Sequence, residues 1–374
     1  MPLLEVGSDT IVLFHPHVPG KAIEYVNDTL RSRWIGQGPR VDSFEKRFSE
    51  KFAPSYRSIA VGSGTDALHL AYLLAGLKEG DEVVSPVFTC TATNIPFLYM
   101  GVKVVFADVQ PHTLNIDPKH VARLVNERTK AIVCVHYGGL PCDMHELQEI
   151  ATKWNIPIIE DAAHAVGAKY RGKHIGSLSD FTMFSFQAIK HITTGDGGML
   201  IIGDPDLVEK AKRIRWFGID RSAKQMGIWE NDIREVGYKY QMTDISAAMG
   251  LAALEEFDET LALRKRLFAA YEAGLKGISG VTFVGGGYSD REHAAWMCTI
   301  IAERRYDLQK KLREQRIESN QVHYRNDRYS VFGGRGKSFP NMDAVEDKYL
   351  VLPLHTKMSV GDVERVCRVI RSGW

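Results

Sequence analysis

The residues most suggestive of chemistry surround one lysine. The stretch Phe181-Thr-Met-Phe-Ser-Phe-Gln-Ala-Ile-Lys190 reads as a strand ending near Ser185 and Phe186. His191-Ile-Thr-Thr-Gly-Asp-Gly-Gly198 then reads as a glycine-rich bend leading back into an apolar run over 199–202. Lys190 has apolar and small neighbours in place of charged ones, with the Ser185 hydroxyl shortly before it. Desolvation lowers the pKa of such an amine, so the neutral form that attacks a carbonyl becomes accessible. The chemistry indicated is covalent capture of a carbonyl compound. A half-buried lysine capping a turn fits the same local pattern.

Ile158-Ile-Glu-Asp161-Ala-Ala-His164-Ala-Val-Gly167 carries the second signal. Residues 157–160 form a short apolar strand, and Asp161 lies at its C-terminal end, where open α/β sheets place their ligands. An acid there can pair with a protonated ring nitrogen, the partner pyridoxal phosphate needs to act as an electron sink. His164 is close enough in sequence to reach the same ring. The alternative is an aspartate capping the next turn, with a histidine satisfied by backbone.

Val61-Gly62-Ser63-Gly64-Thr65-Asp66-Ala67-Leu68 is the third piece. A strand over 58–61 runs into glycines, and an apolar helix follows to about residue 77. Free N–H groups at a helix start, with the Ser63 and Thr65 hydroxyls, form a phosphate cradle. The glycine spacing matches neither a dinucleotide fingerprint nor a nucleotide-triphosphate loop. An ordinary Ser N-cap would look the same. In the fourth loop, Pro86-Val-Phe88-Thr-Cys-Thr-Ala-Thr-Asn94, Phe88 could stack on an aromatic cofactor or fill the core.

Elements that position these loops can be read from the rhythm of the chain. Strands over 58–61, 82–85, 103–107, 131–136, 158–160 and 182–186 alternate with helices, including one over 145–154. That rhythm predicts an α/β fold, a three-layer sandwich around a mostly parallel sheet covered on both faces. The strand over 199–202 follows its turn too closely for a helical crossover, so an antiparallel placement is expected. An entry arm with a helix over 20–32 precedes an amphipathic helix over 41–52, where Phe44 and Phe48 sit one turn apart. A long helix over 246–263 continues past residue 271. A strand over 295–301 and helices over 306–315 and 360–370 form a smaller C-terminal α/β domain. The expected division is 1–260 and 261–374.

A chain of 374 residues suits two domains. Apolar content of 44% and charged content of 25% are ordinary for a soluble globular protein. A net charge of +1 supplies no basic field for nucleic acid. The five cysteines, Cys90, Cys134, Cys142, Cys298 and Cys367, are scattered and unpaired in sequence, which argues for a reducing compartment and against a metal site. No apolar stretch is long enough to span a bilayer, and with Met1 followed directly by Pro-Leu-Leu no signal peptide or tag is expected. A cytoplasmic enzyme is expected.

Taken in order, these loops resemble the nucleotide-sugar aminotransferases, pyridoxal-phosphate enzymes of fold type I. That family aminates keto sugars in polysaccharide, O-antigen and antibiotic-sugar biosynthesis. The resemblance covers almost the whole chain: Trp34-Ile-Gly-Gln-Gly-Pro39, Ser63-Gly-Thr-Asp-Ala-Leu68, Gly80-Asp-Glu-Val-Val-Ser-Pro86, Phe88-Thr-Cys-Thr-Ala-Thr93, Thr129-Lys-Ala-Ile132 and Val135-His-Tyr-Gly138. It continues in Glu160-Asp-Ala-Ala-His164, Ser185-Phe186 with Lys190 and Gly195-Asp-Gly-Gly198, Gly237-Tyr-Lys-Tyr-Gln-Met-Thr-Asp244 and Leu352-Pro-Leu-His355.

What the resemblance implies is specific. Lys190 would hold the cofactor covalently and move the proton, Asp161 would pair with the pyridine nitrogen, and His164 would approach the ring. Phe88 would stack on it. Gly64 and Thr65 would bind the phosphate through backbone, and Ser185 through its hydroxyl. The family is dimeric with shared sites, so Lys239 and the Trp34 loop would complete the partner's pocket. The family usually has asparagine in place of Lys239; a lysine remains a phosphate donor, as a point charge. Relatives that replace the catalytic lysine with histidine are sugar dehydratases, and this chain keeps Lys190. L-Glutamate would be the amino donor and a nucleotide-diphosphate 4-keto-6-deoxy hexose the acceptor. Sugar dehydration and cyclitol amination are the runners-up. A cofactor-free scaffolding relative would have no chemical reason to keep both Lys190 and Asp161. Arg213, Arg215, Arg221 and Arg234 are candidates for the donor carboxylate. In Gln321-Val-His-Tyr-Arg-Asn-Asp-Arg-Tyr329, the residues His323, Tyr324 and Arg325 are expected at the sugar-nucleotide entrance, Arg325 on the diphosphate. The bland alternative is a polar loop packed on the large domain.

Overall fold

Valine- and isoleucine-rich runs alternate with helical segments from residue 57 onward. The computed structural model, which describes residues 7, 9–221, 226–230 and 232–374, assembles those runs into a seven-stranded sheet. The first part of the entry arm, residues 1–6, lies outside the described residues. The strands are β1 (Arg57–Val61), β2 (Glu82–Pro86), β3 (Lys103–Ala107), β4 (Thr129–Val135), β5 (Ile158–Asp161), β6 (Phe181–Ser185) and β7 (Gly198–Ile202). Their order across the sheet is β1-β7-β6-β5-β4-β2-β3. Pairs β6–β5, β5–β4, β4–β2 and β2–β3 are parallel, and β7 is antiparallel to both its neighbours, as its short return from Lys190 requires.

Strand residues alternate between two cores, one on each face. Val84, Ile132 and Phe184 face a cluster with Phe44, Phe48 and Phe52, which lie one turn apart on the helix Pro39–Phe52. Val83, Val133 and Ile159 face Leu68, Ala71 and Tyr72 of the helix Gly64–Leu74. Covering both faces is what lets β2, β5, β6 and β7 be buried along their whole length.

The long helix expected after residue 246 is two helices, Asp244–Glu255 and Phe257–Leu275, with Glu256 between them out of helical geometry. The break has a packing cause. Phe257 turns its ring edge-on to Phe52 at 5.1 Å, inside the large core. Farther along the same helix, Leu267, Phe268, Tyr271 and Leu275 enter a separate core. That second core is built on a three-stranded antiparallel sheet of β8 (Val281–Phe283), β9 (Cys298–Ala302) and β10 (Tyr349–Leu352), with helices Arg305–Glu314 and Val360–Arg371. Ile11 of the entry arm packs into it and bridges Ile317. Among the described residues, no helix is long and apolar enough to cross a membrane.

Candidate active site

The parallel strands β4, β5 and β6 end along one edge of the sheet, and the helix Gly64–Leu74 starts there. A cavity of about 290 Å³ opens at that edge, lined by Ser63, Gly64, Thr65, Asp161, His164, Ser185 and Lys190, together with Cys90, Gln187, Trp296 and His323. Six segments far apart in sequence are thus brought together.

The helix start is held close to the sheet. Ser63 is the N-cap, its hydroxyl accepting from the Asp66 N–H at 3.0 Å. The N–H groups of Gly64 and Thr65 therefore remain as the helix's open donors. A methyl group at Gly64 would come within 3.1 Å of Ser185 Cβ, so the Ser185 hydroxyl sits directly beside those donors. Behind them passes β7, where an added Cβ at Gly198 would lie 2.4 Å from the Ser63 carbonyl oxygen. Two backbone N–H groups and a hydroxyl converge as a phosphate dianion would need.

Asp161 is the last residue of β5 and is buried. Oδ2 accepts from the Thr93 hydroxyl at 2.7 Å, and Oδ1 from the Ala163 N–H at 3.1 Å. Burial pushes its carboxyl up; those two hydrogen bonds and the Lys190 charge pull the other way. His164 accepts from the Gly138 N–H at Nδ1, 3.3 Å, which leaves its proton on Nε2. Its ring lies flat on Trp296, with centroids 3.8 Å apart, and parallel to His323 at 5.3 Å. Burial holds His164 neutral, well below the usual histidine range.

Lys190 is buried, with Nζ 3.7 Å from the Trp296 ring centroid. Burial lowers its pKa to about 8, opposed by Cys90 and Asp161 and assisted by Arg264. Arg264 is itself buried and is held by the carbonyls of Ala295, Trp296 and Leu354, with no carboxylate partner among the described residues. His323 and Ala295 both take left-handed backbone, φ 67° and 53°, a strained geometry found at functional sites. The His323 Nε2 has no hydrogen-bond partner among the described residues, and burial lowers the ring's pKa to about 3.

The predicted residues divide clearly. Lys190, Asp161, His164, Gly64, Thr65, Ser185 and His323 meet in the cavity. Phe88 does not. It is a core residue, its ring tilted against Tyr137 at 5.2 Å and Tyr349 at 5.0 Å, and the aromatic surfaces facing the cavity are His164, Trp296 and His323.

Arg325 is a second correction. It is buried, forms a bidentate pair with Asp327 at 2.6 and 2.7 Å, and also reaches Asp343 and Glu346. Its donors are occupied inside the chain, which leaves no fork for a diphosphate. Tyr324 is paired with Thr89 in a two-residue bridge, Tyr324–Arg325 against Phe88–Thr89, and does not line the cavity. Trp34 and Lys239 lie outside the cavity of their own chain; the Lys239 ammonium sits 3.7 Å over the Trp216 ring.

The donor-carboxylate candidates are elsewhere too. Arg213 is bidentate with Glu235 and Arg215 pairs with Glu45 at 2.5 Å. Arg221 reaches the Gln37 carbonyl, and Arg234 lies near Asp232 on the surface.

Sequence reasoning missed Trp296, Thr93 as the Asp161 partner, and Arg264. Trp296 sits in an unremarkable apolar run before β9, and nothing local signals that it faces the lysine. Thr93 was one hydroxyl among several in its loop.

These residues fit pyridoxal phosphate: a desolvated amine, a buried acid opposite, and a helix-start cradle pinned by glycine. Comparison with known proteins agrees. A model of the DegT/DnrJ/EryC1/StrS aminotransferase family matches residues 17–371. The chain is 34% identical over 364 residues to GDP-perosamine synthase of Escherichia coli O157:H7, covering 96% of this chain and 97% of that one. It is 31% identical over 384 residues to UDP-4-amino-4-deoxy-L-arabinose–oxoglutarate aminotransferase of Shewanella sediminis, covering 98% of each. The crystal structure of AtS13 from Actinomadura melliaura superposes with a TM-score of 0.94 at 37% identity, covering 99% of this chain and 100% of that one.

Proposed function

Because the chain belongs to the DegT/DnrJ/EryC1/StrS aminotransferase family and is a pyridoxal-phosphate-dependent sugar aminotransferase, we propose that it moves an amino group from L-glutamate to a nucleotide-linked keto sugar, a 4-keto-6-deoxy hexose. The observation that carries the reading is Lys190 facing Asp161 in one cavity at the sheet edge. Printed names of two relatives, a GDP-perosamine synthase and a UDP-aminoarabinose–oxoglutarate aminotransferase, support a nucleotide-linked acceptor and a glutamate–oxoglutarate donor pair.

Bound pyridoxal phosphate supplies the electron sink that stabilises a carbanion beside the transferred nitrogen. The chain supplies the rest. Gly64 and Thr65 N–H groups and the Ser185 hydroxyl hold the phosphate. Asp161 holds the ring nitrogen protonated, and His164 presents an N–H from Nε2. Lys190, with a pKa near 8, is close enough to working pH to take a proton from one carbon and return it to another. Met183, Val322 and Trp296 line the walls and exclude water.

The same reading extends to assembly and setting. Two copies would share their sites, with the Trp34 loop and Lys239 of each chain reaching the other's cavity. The large unit, 1–260, would carry the cofactor and the small unit, 261–374, would close over the substrate. The enzyme would act in the cytoplasm.

The test is a panel of GDP-, dTDP- and UDP-linked 4-keto and 3-keto sugars assayed with glutamate, read by oxoglutarate release and product mass. The expected result is amination of a 4-keto-6-deoxy sugar nucleotide. Loss of a hydroxyl without amine gain would replace the reading with dehydration, and amination of a free cyclitol ketone alone would replace it with cyclitol amination.

A further inference from the structure

Beside Asp161 runs a line of buried polar groups that the reaction itself does not use; one of them, Thr89, also lines the cavity. The Thr93 hydroxyl is 2.7 Å from Asp161 Oδ2 and 2.8 Å from the Thr89 hydroxyl. Both threonines are at most 2% exposed. A hydroxyl has one hydrogen to give. An ionised Asp161 can only accept, so Thr93 donates to it, and Thr89 must donate to Thr93. The line therefore has a direction, with every hydrogen pointing at the carboxylate, an arrangement in which each bond strengthens the next. Its far end is fixed. The Thr89 carbonyl accepts from Asn326 Nδ2 at 2.8 Å, Asn94 Nδ2 donates to Asn326 Oδ1 at 2.8 Å, and the Ser85 hydroxyl donates to Asn94 at 2.6 Å. Tyr72 donates to the Thr93 carbonyl at 2.8 Å, so the threonine backbone is held as well.

Resting on the aminotransferase reading, we propose that Thr93, backed by Thr89, is a positioning residue that keeps Asp161 ionised and turned toward the ring nitrogen of the bound cofactor. Burial opposes that ionisation, and among the groups that favour it the Thr93 hydroxyl stands ahead of the Ala163 N–H and the Lys190 charge. The hydroxyl supplies a charge-assisted hydrogen bond from a group that never titrates. It leaves the other faces of the carboxylate free.

The test uses apo-protein and two ligands that do not bond to Lys190: pyridoxamine phosphate, and its analogue in which the ring nitrogen is replaced by C–H. Binding is read from the fluorescence of Trp296, which lines the cavity. Thr93→Val keeps shape and removes the donor. It is expected to weaken pyridoxamine phosphate on the order of 10-fold, the size of a lost hydrogen bond to a charged group, and to leave the C–H analogue within about twofold. Thr93→Ser should restore wild-type binding, and Thr89→Val should show the same ligand selectivity with a loss of roughly threefold. Equal weakening of both ligands, unchanged binding, or a serine that does not rescue would each overturn the proposal. Should Thr93→Val fail to fold, the Thr89→Val ligand pair decides by the same criterion. Wild-type protein that binds neither ligand would instead remove the aminotransferase reading on which this rests.

Discussion

Two buried cations, Lys190 and Arg325, occupy opposite ends of one chemical choice. Around Arg325, Asp327, Asp343 and Glu346 take up the guanidinium donors, and the loop is tied back to residues 88, 89 and 94 through Tyr324, Arg325 and Asn326. Around Lys190, the ammonium lies over an aromatic face, the acid across the cavity is held from behind by Thr93 and Ala163, and the His323 Nε2 in the same cavity has no partner among the described residues. A buried charge whose valences are filled within the chain holds structure. One left with open valences in a cavity is arranged for something that arrives from outside. Arginine in a polar loop looked like the ligand contact, and a lysine in an apolar one does the facing.

The comparison can be broken most sharply at Lys190. Lys190→Ala is expected to lower turnover by at least about 10³-fold, the scale of a lost acid–base group. It should leave the melting temperature unchanged or raised, because a desolvated cation is removed. Borohydride reduction of the wild-type protein with pyridoxal phosphate, followed by peptide mapping, should place the adduct on Lys190 and on no other lysine. The reverse pattern is expected at Arg325. Arg325→Ala leaves buried Asp327 without its cation and Glu346 with Arg335 alone, at a cost of about 3 kcal/mol in urea unfolding. Folded Arg325→Ala protein should keep the wild-type KM for the sugar nucleotide. A selective rise in that KM would restore Arg325 to the substrate site.

A smaller effect follows from pH. The folded Lys190 pKa, about 8, lies below the 10.5 of the exposed amine. Below the folded value both states are protonated and the residue adds no slope. Between the two values the unfolded chain binds more protons, so apo-protein stability rises with pH, by at most about 1.4 kcal/mol per unit from this group. Lys190→Met should abolish that increment in paired urea titrations; parallel curves would mean the amine is not desolvated. The weakest readout sharpens the comparison with a third cation. Lys239 is exposed, rests on Trp216, and has no carboxylate partner among the described residues. If its partner lies in another copy, mixing Lys190→Ala and Lys239→Ala chains should recover roughly a quarter of wild-type activity, since half of random dimers would hold one intact site of two. An active monomer in sedimentation would end that idea.

Much of this was legible along the chain. Lys190, Asp161 and the Ser63–Thr65 turn each lie at the junction of a strand and a loop, so a local pattern sufficed to place them at a sheet edge. The antiparallel return of β7 followed from the length of its turn alone. What was not legible depends on distant partners. Whether Arg325 faces a ligand or a carboxylate is settled by Asp343 and Glu346, side chains that no spacing rule ties to it. Phe88 could stack or pack, and Tyr349 on β10 decided for packing. The break at Glu256 was hidden because both helices are strong helix formers, and only the insertion of Phe257 beside Phe52 separates them. Strands β8 and β10, three and four residues long, carry too little pattern to be read at all.

Gly198 sets a limit on how this chain can vary. A single hydrogen atom occupies the space between β7 and the backbone of Ser63 and Gly64, and the next smallest side chain would overlap Ser63 O, Ser63 C and Gly64 N at 2.4 to 2.8 Å. All three obstacles are backbone, so no rotamer change relieves them. A saturation library screened for function would return glycine alone at this position, while neighbouring Gly195, with open space around it, would tolerate asparagine. The depth of the cleft at this helix start is therefore an inherited dimension of the scaffold, fixed by the thickness of two backbones and beyond the reach of any one-step mutation.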